Sequence, residues 1–204
     1  MMGRLGIFGG TFDPPHLGHL ILAEECHFQL ELDRLLWVVT ADPPHKIGQV
    51  FSPVEMRVKL AQAAVEEEAA FEISLVDIQR PGPHYAVDTI RLTRQAYPAY
   101  SVGYIMGGDS LHNLPTWYHP QEIVQACDFI GVMRRPGDDI NLPELEAILP
   151  GLSAKVEFVR APLLEISSRE IRERIRAGQP FRHYLPSKVY ELIMREGWYH
   201  PRGD

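Results

Sequence analysis

Reactive sulfur is scarce in this chain. Its 204 residues include 2 cysteines, Cys26 and Cys127, each isolated among apolar neighbours and neither in a CxxC pair. Such usage does not support a disulfide framework or a thiolate metal site; it fits buried free thiols in a reducing compartment. Long apolar runs are missing too. The richest, residues 35–41, is one buried strand long, well short of the roughly 20 residues that span a bilayer. Met-Met-Gly-Arg-Leu leads straight into the first strand without a separate apolar targeting region, so the expectation is a cytoplasmic protein with no membrane partner. Positive charge is in deficit, with 20 Lys and Arg against 27 Asp and Glu and a net charge of −7. That balance argues against coating nucleic acid. It leaves small anionic substrates open, because exposed charges beyond about 8 Å are screened and local geometry decides. Solenoid repeats, low-complexity tracts and a convincing linker are absent. Residues 138–150 read as the one irregular insertion.

What is present is ordinary globular composition, 45% hydrophobic and 23% charged, in a length that makes one domain with a sizeable core. Strand and helix patterns alternate. Strands are expected at residues 4–8, 34–40, 71–75, 101–106, 129–133 and 154–159. Helices are expected at 17–30, 52–68 with Pro53 at the first helical position, 87–96, 143–149, 167–177 ended by Gly178, and 186–195 ended by Gly197. Residues 34–40 are continuously apolar, as in a strand covered on both faces. The alternation implies an α/β fold: a Rossmann-like, doubly wound parallel sheet with helices on both faces and a small C-terminal helical portion from about residue 165 to 204. Ligands of such sheets sit outside the carboxyl ends of the strands.

Four constellations fall at those ends. In Gly9-Gly10-Thr11-Phe12-Asp13-Pro14-Pro15-His16-Leu17-Gly18-His19, the glycine pair bares backbone N–H groups to an anion. His16 and His19 are three residues apart and share one face of a helix's first turn, with Gly18 between them. No Gly-Lys-Ser/Thr follows, and the glycine spacing is not that of the dinucleotide fingerprint. Phosphate binding at the helix N-terminus is the reading. The competing ones are capping or packing histidines, and a two-histidine metal site with Asp13. The second constellation is Ser167-Ser168-Arg169-Glu170-Ile171-Arg172, where the serines either only cap a helix or join Arg172 in a second anion cradle. The third is Gly107-Gly108-Asp109, followed by Trp117-Tyr118. Here Asp109 binds a ribose hydroxyl or caps a helix, and Trp117 stacks on a flat ring or simply packs. The fourth is His45-Lys46, either a polyphosphate clamp or a solvated pair. It lies in Asp42–His45, the second copy of the tetrapeptide Asp-Pro-Pro-His that also forms Asp13–His16. If their strands are neighbours, both copies stand on one rim.

With these residues read, GGTFDPPHxGH resembles the first signature of the HxGH-box nucleotidyltransferase superfamily, and ISSxxIR resembles the second. PPHK, HYAVDTI, GGDSLHNLPTWY and LPSKVYELIMREGWY resemble the bacterial nicotinate-nucleotide adenylyltransferase family over residues 5–199. The resemblance implies adenylyl transfer from ATP to nicotinate mononucleotide, giving deamido-NAD and pyrophosphate, with Mg2+ held mostly by substrate oxygens and water. It implies that Gly9, Gly10, Thr11 and Phe12 line the nucleotide loop. His16, Gly18 and His19 would meet ATP phosphates, and Ser167, Ser168 and Arg172 would hold the β- and γ-phosphates. Gly107, Gly108 and Asp109 would approach ribose and adenine. Thr11, His45 and Lys46 would also meet the mononucleotide, the last two from a loop near the phosphates, and Tyr85, Trp117 and Tyr118 would form the nicotinate side. The catalytic set so implied is His16, His19, Lys46 and Arg172, with no protein metal ligands. Two positions depart from the family pattern: Arg169 stands where Ser or Thr is common, and Ala86 where Thr is common. The rival resemblances are phosphopantetheine adenylyltransferase, a cytidylyltransferase for a small phosphorylated alcohol, and a nucleotide-sensing protein without turnover. Acid against amide mononucleotide preference and oligomeric state are not legible.

Overall fold

The computed structural model describes residues 2–41, 51–134, 140–162 and 164–201. Among them, six strands form one parallel sheet: β1 (Gly3–Gly10), β2 (Arg34–Val39), β3 (Phe71–Ser74), β4 (Tyr100–Gly107), β5 (Phe129–Arg134) and β6 (Val156–Arg160), in the order β3-β2-β1-β4-β5-β6. The chain adds strands outward from β1 on one side and then from β4 on the other, with every strand parallel, so the crevice of such a sheet opens at the carboxyl ends of β1 and β4. In register, Gly9 and Gly10 pair with Val38 and Val39 of β2, while Phe8 pairs with Ile105 of β4. Gly107 ends β4 opposite Met133. The glycines that the sequence singled out therefore meet at one point on the rim.

The period of two along β2 explains the layers. Leu35, Trp37 and Val39 enter one core, with Phe8, Phe12, Leu60, Ile171 and Val189. Leu36 and Val38 enter the other, with Leu5, Ile7, Ile90, Ile123 and Leu145. The first core is roofed by α1 (Leu17–Gln29), α2 (Val54–Val65), α7 (Ser168–Arg176) and α8 (Ser187–Glu196). The second is covered by α3 (Ala86–Ala96), α4 (Gly108–Asn113), α5 (Pro120–Ala126) and α6 (Leu142–Ile148). Leu60 is fully buried, so its truncation to Ala is expected to cost about 2–5 kcal/mol. α7 and α8 share the core of α1 and α2, so the C-terminal helices are part of the main layer.

Three details differ from the sequence expectation. α4 and α5 were not expected, because each is too short to show an apolar repeat and each starts in Gly or Pro residues that read as loop. α5 is completed from outside: Lys155 Nζ donates to the carbonyls of Val124 and Cys127, both at 2.6 Å, which satisfies the helix's last acceptors. α2 begins one residue later than expected and ends three earlier. Pro53 has ψ 139 and serves as its N-cap. Ser52 is held instead by tertiary bonds, its N–H to Asp13 Oδ2 and its carbonyl to Arg57 Nε.

Cys26 and Cys127 are free and buried. Burial pushes each thiol up to about 12, so neither is a nucleophile near neutral pH. No helix among the described residues is long and apolar enough to cross a membrane.

Candidate active site

The turn between β1 and α1 holds the first of the candidate residues. Phe12 has φ +47, a left-handed conformation that costs a non-glycine residue about 1–3 kcal/mol. Its ring is fully buried, stacked on Trp37 at 4.8 Å and edge-on to His19 at 5.2 Å. The sequence placed Phe12 on the nucleotide loop; its side chain forms the floor under His19. His16 caps α1, and its ring stacks on that of His19 with centroids 3.8 Å apart. Gly18 permits this stack, because a Cβ there would lie 3.0 Å from His16 Nδ1. His19 Nδ1 accepts the His16 backbone N–H at 3.2 Å, so the His19 ring proton stands on Nε2. Burial lowers His16 to about 4, and its ring is neutral at physiological pH. His16 Nδ1 is buried without a hydrogen-bond partner.

The far end of the chain closes on this turn. Ser167 caps α7, its Oγ accepting the Glu170 N–H at 3.1 Å. Ser168 Oγ donates to the Pro14 carbonyl at 2.7 Å, and Arg172 Nη1 donates to the Asp13 carbonyl at 2.5 Å. Tyr199 donates to Asp13 Oδ1 at 2.8 Å; burial and the Asp13 carboxylate push this phenol far above its ordinary value. Asp13 is thus a buried hub for the Ser52, Tyr199 and Arg172 donors, which leaves it unsuited to a two-histidine metal site. No group of three potential His, Cys, Asp or Glu metal ligands occurs among the described residues.

The outcome is a cavity of about 350 Å³. Thr11, His16, Gly18 and His19 line it from one side, Ser167, Ser168 and Arg172 from the other, and Gly107 from β4. Arg134 and Arg169 also line it. Nothing local marked Arg134, which ends β5. Every non-glycine side chain of the phosphate set so far named is a donor or a cation, the chemistry a triphosphate requires.

A second cavity, of about 740 Å³, takes Gly9 from β1 and Asp109 from just beyond β4, where the first takes Thr11 and Gly107. Gly9 and Thr40 line its inner wall. Tyr85 and Tyr118 stack at 4.0 Å, while Trp117 stands edge-on to Tyr104 at 6.1 Å. Burial raises the Tyr104 phenol well above its ordinary value, so it stays protonated. Asp109, grouped with the ATP residues on resemblance, lines this cavity rather than the first; Gly10 and Phe12 line neither. His45 and Lys46 lie outside the described residues.

Sequence reasoning missed the support beneath both cavities. Arg57 is 1% exposed. It donates to the carbonyls of Ser52 (3.0 Å), Thr11 (3.0 Å), Thr40 (2.7 Å) and Ala41 (3.0 Å), binding the ends of three segments. The available signal was one arginine inside the apolar stripe of α2. Asp77, His84 and Thr89, which line the larger cavity, were also missed.

Comparison with known proteins bears on the family and the fold. Residues 7–174 match the cytidylyltransferase-like family model. The chain is 43% identical to a probable nicotinate-nucleotide adenylyltransferase of Thermomicrobium roseum, over 97% of this chain and 92% of the relative. It is 37% identical to the nicotinate-nucleotide adenylyltransferase of Bacillus subtilis, over 97% and 99%. The fold matches that of Plasmodium falciparum nicotinic acid mononucleotide adenylyltransferase complexed with NaAD, with TM-score 0.76, 16% identity and 97% of each chain covered. The chain therefore belongs to the nicotinate-nucleotide adenylyltransferase family, within the cytidylyltransferase-like group.

Proposed function

We propose that this protein transfers the adenylyl group of ATP to nicotinate mononucleotide. The observation that carries the reading is a pair of cavities that both reach the carboxyl end of β1, one lined by histidine, serine and arginine side chains and the other by stacked aromatic rings. A phosphate oxygen of the mononucleotide attacks the α-phosphorus of ATP, the bond to the β-phosphate bridging oxygen breaks, and pyrophosphate leaves. The nucleophile is already an anion, so no general base is needed. The work of the protein is positioning and electrostatics. His19 offers its Nε2 proton, and Arg172 offers the donors its Asp13 bond leaves over. Ser168 contributes through the amide end of α7, because its hydroxyl proton is engaged with Pro14. His16 enters neutral, and the arginines carry the positive charge.

Magnesium fits this site as a companion of ATP rather than as a resident ion. The side chains present are imidazole, hydroxyl and guanidinium groups that suit phosphate oxygens, so the ion would keep water and substrate oxygens as its ligands. Bound there, it would neutralise charge on the phosphate chain. Lys46 and His45 complete the proposed set from sequence resemblance.

The test is pyrophosphate release with ATP, magnesium and a panel of acceptors. Release with nicotinate mononucleotide is expected. Release only with phosphopantetheine overturns the substrate, and no release with any acceptor overturns the enzyme.

A further inference from the structure

Asp77 brings a carboxylate that is 3% exposed to the wall of the aromatic cavity. Its Oδ1 accepts from Thr89 Oγ1 at 2.6 Å and from Arg80 Nη2 at 3.0 Å. Arg80 stands behind that wall. Its Nη1 donates to the Pro83 carbonyl at 3.1 Å, and its Nη2 lies 3.3 Å from the Tyr85 carbonyl. The Asp88 carboxylate is 3.7 Å from Nη1, and His84 Nε2 donates to the Arg80 carbonyl at 3.2 Å. One guanidinium therefore balances the carboxylate in the wall and grips the turn that starts α3.

The grip has an electrostatic consequence. The Tyr85 carbonyl and the Ala86 N–H belong to one peptide group. Ala86 lines the cavity, and its amide is the first of α3, where an N–H has no acceptor within the helix. A carbonyl bonded to a cation makes the N–H of the same peptide a stronger donor. An anion entering this cavity thus has Asp77 and Asp109 on the wall and Asp88 nearby; Arg80 offsets Asp77 and Asp88 and strengthens the Ala86 amide, so loss of its charge would weigh on an anion directly. A neutral ligand is far less sensitive to either effect, because it carries no net charge.

We propose that Arg80 is a positioning residue that sets specificity, making the cavity favour the nicotinate carboxylate over the neutral amide of the same mononucleotide. This rests on the substrate reading above, and it supplies the cation for which the sequence shows no marker.

The experiment compares kcat/KM for nicotinate mononucleotide and for its amide analogue, by pyrophosphate release with ATP and magnesium, in the wild type, Arg80→Met and Asp77→Asn. In Arg80→Met the acid-over-amide ratio is expected to fall at least tenfold, with the KM of the acid carrying most of the loss. In Asp77→Asn the amide oxygen still accepts from Arg80 and Thr89 while the repelling charge is gone, so the ratio is expected to rise at least threefold. A role confined to folding would lower both substrates in parallel; an unchanged ratio in Arg80→Met overturns the proposal. Should Arg80→Met fail to fold, Asp77→Asn decides alone, and a ratio that stays level or falls overturns it. A wild type that turns over neither mononucleotide overturns the substrate reading itself, and this inference with it.

Discussion

Arg172 and Asp13, 159 positions apart, meet at the mouth of the smaller cavity: the guanidinium donates to the Asp13 carbonyl at 2.5 Å and stands 3.8 Å from its carboxylate. One side chain thereby joins the opening turn to the C-terminal helices and lines the cavity proposed for the phosphates. Arg172→Ala is expected to raise the KM for ATP at least tenfold, in line with the roughly 1.5–3 kcal/mol of a charged hydrogen bond. Arg172→Lys should recover only part of it, because the planar fork is lost. Steady-state kinetics with ATP varied checks both, and an unchanged KM in the Ala variant removes Arg172 from the phosphate site.

His16 predicts an acid liability. Its folded value of about 4 lies below the ordinary 6.5, so the unfolded chain binds the proton more readily. Stability is undiminished above about pH 6.5. It falls as pH drops toward 4, by about 1.4 kcal/mol per unit and about 3 kcal/mol in all from this group. Denaturant melts of His16→Asn and wild type at pH 7 and pH 4.5 should show a smaller acid loss in the variant. Equal losses would contradict the neutral, buried imidazole.

His19 is held by its Nδ1 bond with Nε2 as donor. His19→Ala is expected to lower kcat about a hundredfold or more, with a smaller change in the mononucleotide KM, as for loss of a transition-state donor. Near-wild-type turnover would take the imidazole out of the chemistry.

Trp117 lines the aromatic cavity beside Tyr104. Trp117→Ala is expected to weaken mononucleotide binding by about 1–3 kcal/mol, the usual range for base stacking on an aromatic side chain. Affinity for a non-hydrolysable ATP analogue should hold. Calorimetry with each ligand separates the two, and an unchanged mononucleotide affinity assigns Trp117 to packing.

The legible parts of the sequence were those whose signal is local. Residues 35–39 are apolar on both faces and became the buried part of an interior strand. Ser167 and Gly178 marked the two ends of α7, as capping chemistry requires. The residues proposed for the phosphates could be singled out because their order in the chain encodes a turn and a helix start. Arg57 was not, since its four acceptors come from three separate segments that only the fold assembles. Asp77 and Arg80 were missed for another reason: their partners lie within residues 77–89, in an irregular turn with no repeat to read. The lost charge of His16 was beyond the sequence because it arises from burial. α4 and α5 were hidden because helices of 6 and 7 residues present too little repeat to read.

The central claim is that the β1–α1 turn and the start of α7 are two walls of one triphosphate site. A crystal structure with a non-hydrolysable ATP analogue tests it most directly. The account predicts phosphate oxygens within hydrogen-bond distance of His16 or His19 and, at the same time, of Ser167 or Arg172. A phosphate chain touching only one wall, or lying outside the cavity, would contradict it.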